Sequence, residues 1–276
     1  MMNEVLIIIV VYKKKIIDLS LINDLLGSSQ KIDILIYDNS PNKQISPSLK
    51  NVNLYYIHDK NNPGVSKGYN TGIDKAKELG KKYILLLDQD TLFSINHLDE
   101  YIKLIQIYQE QYIYAPIVAK EDKIYSPFIE KNFVGQVQYA YNFNYNILYN
   151  LDNKSVINSG LMIPIKIIDQ VGYFNEKIKL DFSDIYFIEK YKKLKKEIVL
   201  ANTKLTHSLS GDEGKNYDAE IHRFKYYCNG AKEFSKSSSQ STFWSVTRRM
   251  LRLVQKYYSL KPIDIYINYY LGNKKI

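Results

Sequence analysis

Tyr83-Ile84-Leu85-Leu86-Leu87 is an apolar run that ends directly on Asp88-Gln89-Asp90. Two carboxylates at i and i+2, on the turn after a strand, can converge on one hard cation. Oxygen donors of this kind suit Mg²⁺ or Mn²⁺, which bridge onward to the phosphates of a ligand. A solvated acidic turn is the ordinary account of any single D-x-D triplet. The strand just before it favours the metal reading, because ligands of open α/β sheets bind beyond the carboxyl ends of the strands.

Three further segments carry polar groups that could serve the same site. His207 follows a short strand signal in Leu205-Thr206-His207-Ser208-Leu209-Ser210-Gly211-Asp212. A lone histidine is commonly a structural hydrogen-bonder, but imidazole can also complete a carboxylate site. Asp181 and Asp184 open a predicted helix, where the helix dipole already favours acidic residues. A carboxylate at a helix mouth that faces a cleft can also act as a general base. Asn62 to Gly72 (NPGVSKGYNTG) is a glycine- and asparagine-rich helix entry. It matches neither the P-loop nor the dinucleotide pattern; its glycines allow close approach of backbone or ligand.

The elements that would position these groups alternate strand and helix. Glu4–Val11 is a continuous aliphatic run, as expected of a strand buried on both faces. Ile16–Leu26 has helical spacing and ends at Gly27. Ile32–Tyr37 and Asn53–His58 read as strands, Val65–Leu79 as a helix and Tyr83–Leu87 as a fourth strand. The pattern predicts a mostly parallel central sheet with flanking helices. Asp38-Asn39-Ser40, Asn61 to Gly72 and Asp88 to Asp90 all fall beside strand ends. Farther on, Ser94–Gln109 reads as a helix and Tyr112–Val118 as a strand. Ile124–Asn150 reads as hairpins or a flap, and Val156–Pro164 as a strand interrupted at Asn158-Ser159-Gly160. Asp184–Lys196 reads as a helix and Ile198–Ala201 as a short strand. Asp218–Phe234 and Phe243–Tyr258 read as helices joined by a serine-rich linker.

The 276 residues admit one large or two small domains, and 45% hydrophobic residues suffice for a core. A single cysteine, Cys228, excludes an internal disulfide framework and a cysteine-rich zinc site. The net charge of +9 calls for an anionic partner: nucleotide, nucleic acid or membrane surface. Val5–Tyr12 is far short of the roughly 20 residues that span a bilayer, and its flanking charges reverse the order of a signal peptide. A cytoplasmic protein is expected.

Taken in order, these segments resemble an inverting family-2 glycosyltransferase of GT-A fold. The resemblance covers roughly residues 4–215. It implies a GT-A catalytic domain over 1–215, with 216–276 a C-terminal helical extension. It implies that Tyr12 and Asp38 hold the nucleotide base and ribose of a nucleotide-sugar donor, and that Asn70 supports the diphosphate side. Asp88, on the nucleotide side, and Asp90 would bind Mg²⁺ or Mn²⁺, with His207 as third ligand. Asp184 would be the general base, with Asp181 its rival, because Phe182-Ser183-Asp184 stands where the family often has a Glu-Asp pair. The opening Val10-Val11-Tyr12-Lys13 also lacks the threonine and asparagine of the family's usual V-T-Y-N. Leu87 to Thr91, Ile157 to Leu161 and His207 to Gly211 look most like bacterial rhamnosyltransferases of O-antigen or capsule synthesis; galactofuranosyl and other hexosyl transferases share much of the pattern. The implied donor is dTDP-rhamnose and the implied acceptor a saccharide or lipid-linked saccharide.

Two readings from other classes remain. A nucleotidyltransferase also uses carboxylate-held Mg²⁺ but releases pyrophosphate. A nucleic-acid-binding protein would use a basic stripe such as Arg248, Arg249, Arg252 and Lys256; the resemblance implies no nucleic acid. Read as a helix, Thr247–Tyr258 also aligns Met250, Leu253, Val254 and Tyr257 as an apolar stripe beside Arg249, Arg252 and Lys256. Basic residues beside an apolar face mark an interfacial helix. The sequence therefore predicts peripheral contact with the inner face of the plasma membrane; packing on the catalytic domain and a homodimer contact are the other uses of such a stripe.

Overall fold

The computed structural model describes residues 1–26, 30–131, 134–143, 147–207, 216–238, 241–274 and 276. The expected cap Gly27, residues 208–211 of the late histidine motif, and part of the serine-rich linker lie outside the described residues. The chain opens with β1 (Val5–Val11), α1 (Ser20–Leu25), β2 (Ile32–Asp38), β3 (Val52–His58), α2 (Val65–Glu78) and β4 (Tyr83–Asp88). Next come β5 (Thr91–Leu92), α3 (His97–Tyr108), β6 (Tyr114–Lys120), β7 (Lys123–Lys131), β8 (Val134–Tyr139), β9 (Leu148–Asn150), β10 (Lys154–Ser155) and β11 (Met162–Pro164). The remainder is α4 (Ile165–Val171), α5 (Ser183–Leu194), β12 (Glu197–His207), α6 (Tyr217–Ser237), α7 (Phe243–Tyr257) and α8 (Lys261–Ile265), which runs into a π-helical turn.

The sheet runs β10-β7-β6-β11-β4-β1-β2-β3. It is parallel from β4 through β3, while β11 lies antiparallel between β4 and β6. Beyond β4 the sheet is mixed, so the parallel expectation holds for its N-terminal half. Every residue of β1 is buried. Leu6, Ile8 and Val10 enter one apolar cluster, and Val5, Ile7, Ile9 and Val11 enter the other. The alternation of a strand thus serves two cores at once. Helix α2 seats directly on β1. A Cβ built on Gly72 would lie 2.4 Å from Ile8 Cδ1, so only glycine permits this approach.

Two departures from the expected elements place functional groups. Residues 158–160 leave the strand: Gly160 sits at φ +80°, and its N–H donates to Leu86 O. This detour sets Asn158 against the end of β4. Strand β12 is longer than Ile198–Ala201 because its pairing with β6 shifts between Leu200 and Lys204. Past that irregularity Thr206 and His207 pair with Leu92 and Thr91. A bulge of this kind re-aims a strand, and here it carries the His207 backbone to the Asp88 turn.

The C-terminal helices form a third apolar cluster with Ile178 and Phe182, from the segment that leads into α5. Met250 and Leu253 are buried in it, with Val254 and Tyr257 packed against it. The stripe expected to face a bilayer is therefore used internally. Among the described residues no helix is long and apolar enough to cross a membrane.

Candidate active site

The carboxyl ends of β1, β2 and β4 open onto a cleft of about 680 Å³, within the usual range for a small-molecule site. Tyr12, Asn39, Asp88 and Asp90 line one wall. The Tyr12 backbone N–H donates to Gln89 Oε1 at 2.7 Å, which ties the end of β1 to the acidic turn. A smaller chamber of about 290 Å³ adjoins it, lined by Tyr69, Asn158, Asp181 and Asp184. Asp88 and Arg223 line both cavities and so stand at their junction.

Asp184 lies in the first turn of α5. The segment before it is pinned from several sides. Val65 N–H donates to Lys179 O at 2.8 Å, and Ser66 Oγ donates to Ile178 O and meets Ser183 Oγ at 2.9 Å. The Asn62–Gly72 stretch thus supports this turn, and its Asn62, Gly64 and Val65 also line the large cleft. Phe182 takes a left-handed conformation, φ 76°, which costs an L-residue about 1–2 kcal/mol. Its ring is held between Tyr227 and Phe234 at centroid distances of 5.0 and 5.9 Å. Burial raises the Asp184 carboxyl to about 6, and the charges of Asp88 and Asp181 push the same way. A carboxylate poised near 6 is ionised at neutral pH yet basic enough to take a proton.

Asp181 has a different assignment. Arg223 Nη2 donates to its Oδ1 at 3.1 Å, and Nε approaches Oδ2 at 3.5 Å. The Asp181 carboxylate, with Asp90 and Asp88 behind it, holds the guanidinium firmly protonated. Of the two rivals, Asp181 is the anchor of an arginine, while Asp184 Oδ1 accepts from Ile185 N–H.

The sequence reading did not name that arginine. Ala219, His222, Arg223 and Tyr226 fall at i, i+3, i+4 and i+7 on α6 and form the far wall of the large cleft. The periodicity was visible, but nothing local says that this face meets the ends of β1 and β4. Lys13 and Lys179 also line the cleft. Desolvation lowers His222, and the ammonium groups of Lys225, Lys13 and Lys179 push it further down. Lys13, Lys179 and Arg223 thus bring cationic groups into the cleft that Asp88, Asp90 and Asp218 also line.

Asp38 and Asn70 are placed elsewhere than the resemblance implied. Asp38 is fully buried; its Oδ1 accepts from Ser40 N, and its Oδ2 from Tyr56 Oη and Gln44 Nε2. It fixes the β2 turn, and the neighbouring Asn39 lines the cleft in its place. Asn70 donates to Phe174 O and Glu176 Oε1 and accepts from Phe174 N, each at 3.0 Å. It pins the loop that leads to Asp181 and does not line the cleft. Tyr12, Asp88 and Asp90 line the large cleft, and Asp184 lines the chamber that shares Asp88 with it. The His207 backbone reaches the same end of the sheet by its pairing with Thr91.

Among the described residues no three His, Cys, Asp or Glu side chains form a ready cage for a metal. The two carboxylates still fit Mg²⁺ or Mn²⁺, because such ions keep several waters and bind through one or two carboxylates plus substrate phosphates. Tyr69 orients one of them: its buried hydroxyl donates to Asp88 Oδ1 at 3.1 Å. Loss of such an outer partner typically weakens metal binding about 10–100-fold. Tyr69→Phe is expected to raise the half-saturating Mn²⁺ concentration by about that factor, with kcat at saturating ion nearly unchanged. An unaltered ion requirement would remove Tyr69 from this role.

The family model for Glycosyl transferase family 2 matches residues 6–172. No curated protein matches the chain in sequence. Among solved structures, S. aureus TarS aligns with a TM-score of 0.52 at 13% identity, over 97% of this chain and 55% of its own. GalNAc-T7 with UDP, GalNAc and Mn²⁺ aligns with 0.56 at 11% identity, over 96% and 57%. TarS 1-349 in complex with UDP-GlcNAc aligns with 0.54 at 12% identity, over 96% and 78%. The chain spans little more than half the length of the first two. These likenesses establish the GT-A fold, and the family model covers more than half of the sequence: the chain belongs to glycosyltransferase family 2.

Proposed function

We propose that the protein transfers a sugar from a nucleotide-sugar donor to a saccharide or lipid-linked saccharide acceptor, with inversion at the anomeric carbon. The observation that carries this reading is Asp184. It is raised to about 6 and sits in a chamber that meets the Asp88-Gln89-Asp90 turn. In this mechanism the nucleoside diphosphate lies along the large cleft, between Tyr12 and Asn39 on one side and the α6 wall on the other. Asp88 and Asp90, with His207 as third ligand, would hold the divalent ion, which when bound supplies positive charge to the diphosphate. The acceptor hydroxyl occupies the smaller chamber and gives its proton to Asp184. Its oxygen bonds to the anomeric carbon from the face opposite the leaving group. The bond from that carbon to the β-phosphate oxygen breaks, and the nucleoside diphosphate leaves with the electron pair. Arg223, oriented by Asp181, meets the charge that develops on it; Lys13 and Lys179 add to the same field.

Positioned cationic donors at a developing anion are usually worth about 10²–10³ in rate. Arg223→Gln is therefore expected to lower kcat by about 10²–10³, with the thermal midpoint measured in parallel to exclude misfolding. Unchanged kcat in a folded variant would overturn this assignment.

The donor we propose first is dTDP-rhamnose, on the resemblance of Leu87 to Thr91, Ile157 to Leu161 and His207 to Gly211 to enzymes of bacterial surface polysaccharide synthesis. The neighbours crystallised with UDP or UDP-GlcNAc make uridine-linked sugars the second group. A screen of nucleotide sugars with Mg²⁺ or Mn²⁺, read as nucleoside diphosphate release, tests the reading. Release with one donor and an acceptor supports it. Pyrophosphate release would identify a nucleotidyltransferase instead.

A further inference from the structure

Helix α7 buries one apolar face, and its opposite side still carries large apolar side chains. With Met250 and Leu253 buried, the opposite side presents Trp244, Arg248, Leu251 and Gln255, at i, i+4, i+7 and i+11. These lie within one narrow stripe of a helix. Trp244 is 64% exposed and Leu251 56%, and Tyr258, at the end of the helix, is 95% exposed. Phe243 flanks the stripe, and Leu260 follows just beyond it, both exposed. A tryptophan, a leucine and a tyrosine left in water along one helix are not explained by packing within the chain.

The charge around the stripe identifies its occupant. Between Glu233 and Asp264 there is no acidic residue, while six lysines and arginines fall in that interval. Some of these are committed: Arg249 covers the Tyr227 ring at 4.1 Å, and Lys256 pairs with Glu220 at 3.0 Å. Arg248 and Arg252 are exposed beside Trp244 and Leu251, with no ion-pair partner among the described residues. A two-fold contact between copies would set this patch against itself, bringing arginine towards arginine. An anionic lipid surface accepts both components: the arginines meet headgroup phosphates while Trp244 and Leu251 enter the headgroup–acyl boundary.

We infer that the outer face of α7, centred on Trp244, Arg248, Leu251 and Arg252, docks the protein on an anionic membrane surface. This face is distinct from the Met250–Tyr257 stripe, and the inference does not rest on the catalytic reading. Trp244 is the chain's sole tryptophan, so its emission reports contact directly.

The test uses the full chain at low salt with vesicles of equal parts phosphatidylglycerol and phosphatidylcholine, against vesicles of phosphatidylcholine alone. The expected result is a blue shift of Trp244 emission and co-sedimentation with the anionic vesicles only, both reversed by high salt. Each arginine near such a surface contributes about five-fold in partitioning, so Arg248→Ala with Arg252→Ala should weaken it about 25-fold. Leu251→Gln should weaken it without altering salt dependence. Because all three side chains are exposed, the thermal midpoint should not move. Absence of both shift and sedimentation with anionic vesicles overturns the inference. So does equal binding to neutral vesicles with no effect of the arginine changes. A shift produced by an oligonucleotide but not by vesicles would assign the face to nucleic acid. A lipid-free, concentration-dependent shift with a dimer in light scattering would assign it to a second copy.

Discussion

Asp184→Asn is expected to lower kcat by about 10²–10⁴, the usual contribution of a positioned base, while donor binding is preserved. The amide keeps the shape and the hydrogen bond from Ile185 N–H, now made at 2.8 Å to Asp184 Oδ1, and loses only the basicity. The pH dependence is the sharper measurement. A base that must be ionised gives the wild-type kcat/KM an acidic limb. With the carboxyl raised to about 6 by burial and by the neighbouring carboxylates, activity should fall as pH drops below about 6. The residual activity of the variant should lack this limb. Stability should move the other way. Because the folded carboxyl titrates above its ordinary value, the native state binds more protons between about pH 4 and 6, and stability falls as pH rises through that window. Above pH 6, Asp184→Asn should therefore melt higher than wild type, by about 2–4 °C for each kcal/mol of desolvation relieved. If Asp181→Asn, rather than Asp184→Asn, removed the acidic limb, the base assignment would move to Asp181. That variant is expected instead to resemble Arg223→Gln, since its structural consequence is a loosened arginine.

The parts of the site legible in the sequence are those in which strand and polar group are contiguous. The run Tyr83–Leu87 announces its own end, so Asp88 and Asp90 could be placed at the mouth of the sheet from local pattern alone. Tyr12, at the end of β1, is the same case. The groups that moved are governed by partners outside their own segment. Asp38 turns inward because Tyr56 and Gln44 take its second oxygen, and Asn70 is taken by Phe174 and Glu176, about a hundred residues on. A motif match reports that such residues are wanted, not which neighbour satisfies them. The choice between Asp181 and Asp184 was undecidable for the same reason, because the arginine that engages Asp181 lies 42 positions later on α6. Helix α7 shows the limit of periodicity most plainly. Its apolar stripe is readable, but what covers it depends on α6, α8 and the Phe182 turn.

Asp90→Ala is expected to leave a folded protein with almost no transfer activity. Asp90 sits on a partly exposed turn outside all three apolar clusters, so its loss removes charge without opening a cavity. Asp88 remains, oriented by Tyr69, but a single carboxylate holds a divalent ion far more weakly than two. Charge placed on a phosphoryl oxygen by a metal ion is worth several kcal/mol, so the expected loss is about 10³-fold or more in kcat/KM. Excess chelator should bring wild type to the same level, and re-added Mn²⁺ should restore wild type but not the variant. Full activity of Asp90→Ala, or of wild type in chelator, would remove the metal role and leave Arg223, Lys13 and Lys179 as the cationic side of the site. The two variants also test each other. Asp90→Ala should change the ion requirement and keep the acidic limb near pH 6 in its residual rate. Asp184→Asn should lose the limb and keep the ion requirement. A shared phenotype would mean that the Asp88 turn and the Asp184 helix mouth act as one charge cluster, not as a leaving-group site beside a separate base.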